Sequence, residues 1–93
     1  MTEQEMRDLV QSFNYDVDYW RKYRFREECR DRGIPVDRFG KVPAEYAVRA
    51  MSIDCGMTKN FIGRACGISR ELRYYGYNVR VDMTTGKLVI KEA

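Results

Sequence analysis

Five cations crowd one short stretch of this 93-residue chain. Lys59, Arg64, Arg70, Arg73 and Arg80 fall within residues 57–81 against a single acid, Glu71, a local charge of +4. Basic side chains at that density attract polyanions. Arg70 and Arg73, with Tyr74 beside them, have the reach to meet phosphates or the edges of bases, where an arginine reads guanine through two hydrogen bonds. Arg38 and Lys41 add positive charge upstream, in a loop made tight by Gly40. The front of the chain has the opposite sign: residues 1–18 hold Arg7 against Glu3, Glu5, Asp8, Asp16 and Asp18, a local charge of −4. The net charge of +3 conceals this polarity.

Other chemistries have little to work with. The chain has no histidine, the usual proton carrier for serine, thiol and metal hydrolases, and its acids are scattered on helix faces that read as solvated. No enzyme is expected. The three cysteines, Cys29, Cys55 and Cys66, form no CxxC pair, so reduced and mostly buried thiols are expected, with no metal and no cofactor. The acidic N-terminus lacks the order of a secretion signal, and no run reaches the roughly 18 apolar residues of a membrane span. The chain therefore reads as cytoplasmic and off the membrane.

The elements that must position these residues follow from periodicity and punctuation. Thr2 to Glu5 is a capping box, and Met6, Leu9, Val10 and Phe13 follow at helical spacing, which predicts a helix from about Glu3 to Phe13. After "NYD" a second helix is expected from about Val17 to Arg32, stopped by Gly33 and Pro35. Its "YWRKYRFR" weaves Arg21, Lys22, Arg24 and Arg26 among Tyr19, Trp20, Tyr23 and Phe25. That pattern suits either core rings with an arginine rim or a grip on single-stranded nucleic acid. A loop over 33–43 precedes a third helix, "AEYAVRAMSIDC", ended by Gly56. Its Ala44, Ala47 and Ala50 would admit a close neighbour. At the C-terminus "YNVRVDM" and "KLVIK" alternate as strands around Gly86, a hairpin that must pack on the helices.

Between them, "MTKNFIGRACGISRELRYYG" has the outline of two helices about a turn. Thr58 caps the first, Ile62 and Cys66 form its buried stripe, and Gly63 is the small residue at a crossing. Gly67 is the turn, Ile68 the apolar plug, and Ser69 caps a short second helix that Gly76 ends. Over residues 58–75 this resembles the helix-turn-helix family of bacterial and phage repressors. The resemblance implies a second helix lying in the major groove, with Arg70, Arg73 and Tyr74 outward, Leu72 and Tyr75 inward, and the hairpin as a wing. It departs from the family where Arg73 stands in place of a branched aliphatic, and an ordinary helical corner is the competing reading.

Residues 25–51, "FREECRDRGIPVDRFGKVPAEYAVRAM", resemble the C-terminal DNA-binding domain of the actinobacterial H-NS-like xenogeneic silencers, whose R-G-R loop enters the minor groove. Here the matching positions are Phe39, Gly40 and Lys41, with Arg38 one place early. The same framework also resembles the peripheral subunit-binding domains, which bind proteins.

The sequence thus predicts one mainly α domain over 1–93: a compact, winged-helix-like bundle of four to five short helices with a C-terminal two-stranded hairpin. Residues 1–56 would be helical support, 57–76 the helix-turn-helix and 77–92 the hairpin. Its leading functional reading is a small DNA-binding regulator of phage or mobile-element origin, with actinobacteria as the setting the second resemblance implies. It would hold duplex DNA as a homodimer through Arg70, Arg73, Tyr74, Lys59, Arg64, Arg80, Arg38, Gly40 and Lys41. The alternative is a phage-encoded module that binds and inhibits or redirects a host protein, with Tyr19, Tyr74 and Tyr77 as anchors.

Overall fold

The computed structural model describes residues 1–92 and corrects the expected bundle of four to five short helices. Two long helical arms lie against each other and a small hairpin crosses one side of the pair. The first arm is α1 (Glu3–Tyr19), which continues without a break through a π-helical segment (Trp20–Arg24) into α2 (Phe25–Asp31). A 3-10 turn (Ala44–Tyr46) opens the second arm, α3 (Ala47–Tyr74), of 28 residues. Strands β1 (Val79–Val81) and β2 (Leu88–Ile90) pair antiparallel, with Arg80 opposite Val89.

The caps explain where the arms begin and end. Thr2 Oγ1 accepts from the Glu5 N–H at 3.1 Å while Glu5 Oε1 accepts from the Thr2 N–H at 3.2 Å, the reciprocal capping box. Both arms end in the same way. Gly33 at φ 73° and Gly76 at φ 95° turn the chain in the left-handed region. Ile34 N–H then donates to Cys29 O at 2.8 Å, and Tyr77 N–H to Leu72 O at 3.1 Å. In each case the residue past the glycine also packs beside the one it bonds, completing a Schellman motif.

The expected break at "NYD" does not occur. Asn14 stays helical because its side-chain amide is taken up by the hairpin: Nδ2 donates to Leu88 O at 2.8 Å and Oδ1 accepts from Leu88 N–H at 2.7 Å. Farther on, α1 buries Met6, Val10, Phe13 and Val17. The next inward residues are Phe25 and Cys29, one place late for an unbroken α-helical stripe. The i→i+5 bonding of the π segment takes up the extra residue, so both parts of the arm face α3.

The helix-turn-helix does not form. Gly56, Gly63 and Gly67 all lie inside α3, and none has the positive φ that a turn requires. Three interior glycines cost about 1 kcal/mol each relative to alanine. Fully burying Phe61 and Leu72 on the same helix is worth about 1.5–3 kcal/mol apiece, so packing outweighs the local signal. Ser69 does not cap a helix: its hydroxyl, buried, donates to Val79 O at 2.6 Å. Thr58 Oγ1 accepts instead from Arg21 Nη2 at 2.9 Å.

The core runs as a seam in two parts. Met6, Val10, Phe13, Val17, Phe61, Ala65, Leu72, Val79 and Leu88 join α1, α3 and the hairpin. Cys29, Ile34 and Ile53 join α2, the loop and the start of α3, and Met57 touches both groups. The molecule is a rod of 47 × 21 × 19 Å. Its radius of gyration of 15.6 Å exceeds the roughly 12 Å of a compact domain this long.

Candidate interaction surface

The hairpin clasps one side of the helical pair, and polar side chains fasten it. Besides Asn14 and Ser69, Arg21 Nη2 donates to Thr85 O at 2.6 Å, Lys87 Nζ lies 2.7 Å from Asp18, and Arg7 Nη2 lies 2.7 Å from Glu92. Gly86, at φ 79°, sits so close that a Cβ there would lie 2.6 Å from the Phe61 Cβ. At 3.6 residues per turn the residues used, Arg7, Asn14, Asp18 and Arg21 on the first arm and Thr58 and Ser69 on α3, share one flank.

The opposite flank has no such cover. Trp20 stands there 37% exposed, its ring edge-on to Phe61 at 6.4 Å between centroids. Arg24 stacks on Trp20 with Cζ 4.7 Å from the ring centre, and Arg64 lies 5.6 Å from the Phe13 ring. Trp20, Met57, Asn60, Phe61 and Arg64 line a cleft of about 380 Å³ between the arms. A second cleft of about 560 Å³ continues from Trp20 past Gly56 toward Glu28 and Arg32. Half-buried Ile68, together with exposed Leu9 and Tyr75, lengthens the apolar strip toward the other end. An aromatic floor between two ring-stacked arginines can hold apolar side chains and, at its rim, carboxylates.

The residues expected at a DNA site do not come together. By helical geometry Arg70 and Arg73 share the outer face of α3, away from the first arm, whereas Lys59 lies at the rim of the second cleft with Trp20 and Asn60, and all three are exposed. Tyr74 is 87% exposed beside them. Arg64 lies on the uncovered flank instead, and Arg80 points to solvent from β1. Arg38, Gly40 and Lys41 sit in the loop that precedes α3, about 40 Å along the helix from Arg73. There Arg38 stacks on Phe39 at 4.9 Å, and Gly40 at φ 81° backs onto the Arg26 side chain. The carboxylate of Asp37 accepts from the N–H groups of Lys41 at 2.9 Å and Phe39 at 2.8 Å. The bond from Lys41, seconded by that from Phe39, holds its pKa below the usual carboxylate value. A fixed anion at the centre of this loop opposes insertion into a DNA groove.

Three other expectations are corrected. None of the four rings in "YWRKYRFR" is fully buried; Tyr19 and Tyr23 stack at 5.0 Å on the surface and Phe25 is half-buried. Tyr75, expected inward, is 50% exposed, whereas Leu72 is fully buried. Of the thiols Cys29 alone is buried, with its pKa raised by that burial, while Cys66 is half-buried and Cys55 exposed. Among the described residues no three of His, Cys, Asp or Glu are grouped to hold a metal ion, and no helix is long and apolar enough to cross a membrane.

Sequence reasoning missed the uncovered flank and the clasp. Asn14 and Arg21 gave no local signal, because their partners lie 74 and 64 residues away. Trp20, one of the rings in "YWRKYRFR", and Arg64, expected at a DNA site, are flank residues that did stand out in the sequence. Comparison with known protein families, with curated proteins and with solved structures finds no match.

Proposed function

We propose that this chain is a non-enzymatic docking module that binds another protein through the uncovered flank of its helical pair. One observation carries the reading: the aromatic cleft at Trp20, Phe61 and Arg64 lies open at the middle of the rod, opposite the side that the hairpin covers. Trp and Arg set in a desolvated groove are the side chains that dominate binding at protein interfaces. A host protein bound by a small phage-encoded chain is one setting for such a module, and its three free thiols suit the cytoplasm.

A photo-crosslinking residue at Asn60, in the cleft, should capture a protein partner in cells. The same residue at Tyr15, exposed on another face of α1, should not. Equal capture at both positions, or none at Asn60, sinks the reading.

A second reading, duplex DNA binding, keeps support from a different face. From Ala47 to Tyr74 the outer surface of α3 carries Arg70 and Arg73, with Lys59 at its edge by the second cleft, while the helix's two acids, Asp54 and Glu71, lie on other faces. Anisotropy of labelled duplex DNA tests it: affinity should fall steeply with salt as counterions are released. No binding at low salt ends this reading.

A further inference from the structure

We infer that the partner on the uncovered flank is a second copy of this chain, laid antiparallel about a two-fold axis level with Trp20 and Asn60. The inference rests on the docking reading and names its partner. Trp20 and Asn60 line the same cleft, one from each arm, and so mark one level along the rod. Two pairs of charges on the flank are opposite in sign at equal distances from that level, whereas Glu28 and Lys59, which line its second cleft, have no such counterpart. On the first arm Asp16 stands four residues before Trp20 and Arg24 four after; on α3 Arg49 stands eleven residues before Asn60 and Glu71 eleven after. A two-fold axis lying in the interface, perpendicular to the helices, exchanges these heights. Asp16 then meets Arg24 of the second copy, and Glu71 meets its Arg49, at about 6 Å and about 16 Å from the axis. Each pair forms twice, so the surface is complementary to itself, as an isologous interface requires.

Shape agrees with charge. Arg64 lies four residues beyond Asn60, and four residues before Asn60 is Gly56. A Cβ on Gly56 would meet nothing within 4 Å, so the long Arg64 side chain of one copy faces open space on the other. Arg24 is free to change partner: its bond to Glu27, 3.0 Å long, is an exposed i,i+3 pair, a kind that contributes little. The area is also sufficient. The chain exposes 6612 Å², whereas a compact monomer of 11.0 kDa exposes about 5,600 Å². The excess of about 1,000 Å² compares with about 800 Å² per partner in a standard stable interface.

Sedimentation equilibrium of the wild type, Asp16→Arg, Arg24→Asp and their equimolar mixture tests the inference, with circular dichroism confirming that each variant is folded. The wild type should approach twice 11.0 kDa as concentration rises through the micromolar range. Each single variant sets like charges against each other at both pairs and should raise the dimer dissociation constant at least about tenfold. In the mixture the two substituted positions face each other with opposite charges, and the unchanged Arg24 of the first variant faces the unchanged Asp16 of the second. Mixing should therefore restore the dimer. A wild type that stays monomeric overturns the inference, and so does a dimer indifferent to the single variants or not rescued by mixing. Neither result touches the docking reading, which stands or falls on whether Asn60 captures any protein, a second copy of this chain or a different one.

Discussion

Gly86 and Gly67 show how one residue type serves opposite ends in this chain. Gly86 is held at φ 79° against Phe61, where a Cβ would lie 2.6 Å from the Phe61 Cβ. Gly67 is helical and a Cβ there would touch nothing within 4 Å. Gly86→Ala therefore combines backbone strain with a clash and should destabilise the protein by about 2 kcal/mol or more. Gly67→Ala should stabilise it by about 1 kcal/mol, through helix propensity alone. Urea denaturation of the two variants measures both. If Gly67→Ala also destabilises, something closer than the helix itself occupies that face.

At the scale of elements, the hairpin depends on side chains from the first arm. A two-stranded hairpin is marginal alone, and three-residue strands leave it few bonds of its own. Asn14 supplies both a donor and an acceptor to Leu88. Asn14→Ala leaves two part-buried backbone groups unpaired and should cost about 1–3 kcal/mol. Amide exchange should locate the effect, with Leu88 and Val89, which faces Arg80 in the ladder, losing protection before the centre of α3.

The loop and the hairpin turn share a pH response. Asp37 accepts from two loop N–H groups, and Asp82 accepts from the Thr84 hydroxyl and N–H. Both carboxyls are held below their usual pKa by these bonds, that from Lys41 first at Asp37 and that from the Thr84 side chain first at Asp82. A folded pKa below the unfolded one means the unfolded chain takes up protons first. Stability from these bonds is thus complete above the ordinary aspartate range and is lost as pH falls through the depressed values. Amide shifts of Lys41 and Thr84 should stay constant from neutral pH down to about pH 4 and move only below it. Movement beginning well above that range would mean the carboxylates are not held as described.

The same scale shows what could be read in the sequence. Local bonds were legible: the capping box at Thr2 and Glu5, the helix stops at Gly33 and Gly76, and the turn at Gly86 each involve residues a few places apart. The breaks assigned to "NYD", Gly56 and Gly67 failed because the winning interactions are distant. Asn14 finds Leu88, Ser69 finds Val79, and the α3 glycines are carried along by Phe61, Ala65 and Leu72 packing on the first arm. Joined helices in turn moved the expected site residues. Lys41 and Arg73 became opposite ends of one rod, and Arg64 turned to the flank where Trp20 lies.

At the scale of the whole molecule, the two-fold dimer gives the DNA reading a geometry that the single chain lacks. An axis in the interface and perpendicular to the helices leaves both α3 outer faces pointing the same way. The Arg70 and Arg73 pairs then stand about 11 to 12 residues of helical rise on either side of the axis, about 34 Å apart. That spacing is about one turn of duplex DNA, the separation at which dimeric proteins meet successive half-sites. A single copy brings only one such pair, so DNA binding and dimer formation should be coupled. Asp16→Arg adds positive charge remote from that face, and by charge alone it would strengthen attraction to DNA. If the dimer is the binding form, this variant should instead bind duplex DNA at least about tenfold more weakly than the wild type. It should also show a shallower dependence on salt, because fewer phosphates are neutralised. Adding Arg24→Asp on an equimolar second chain should restore both. Anisotropy at matched salt reads all three states, and tighter binding by Asp16→Arg would separate the DNA reading from the dimer.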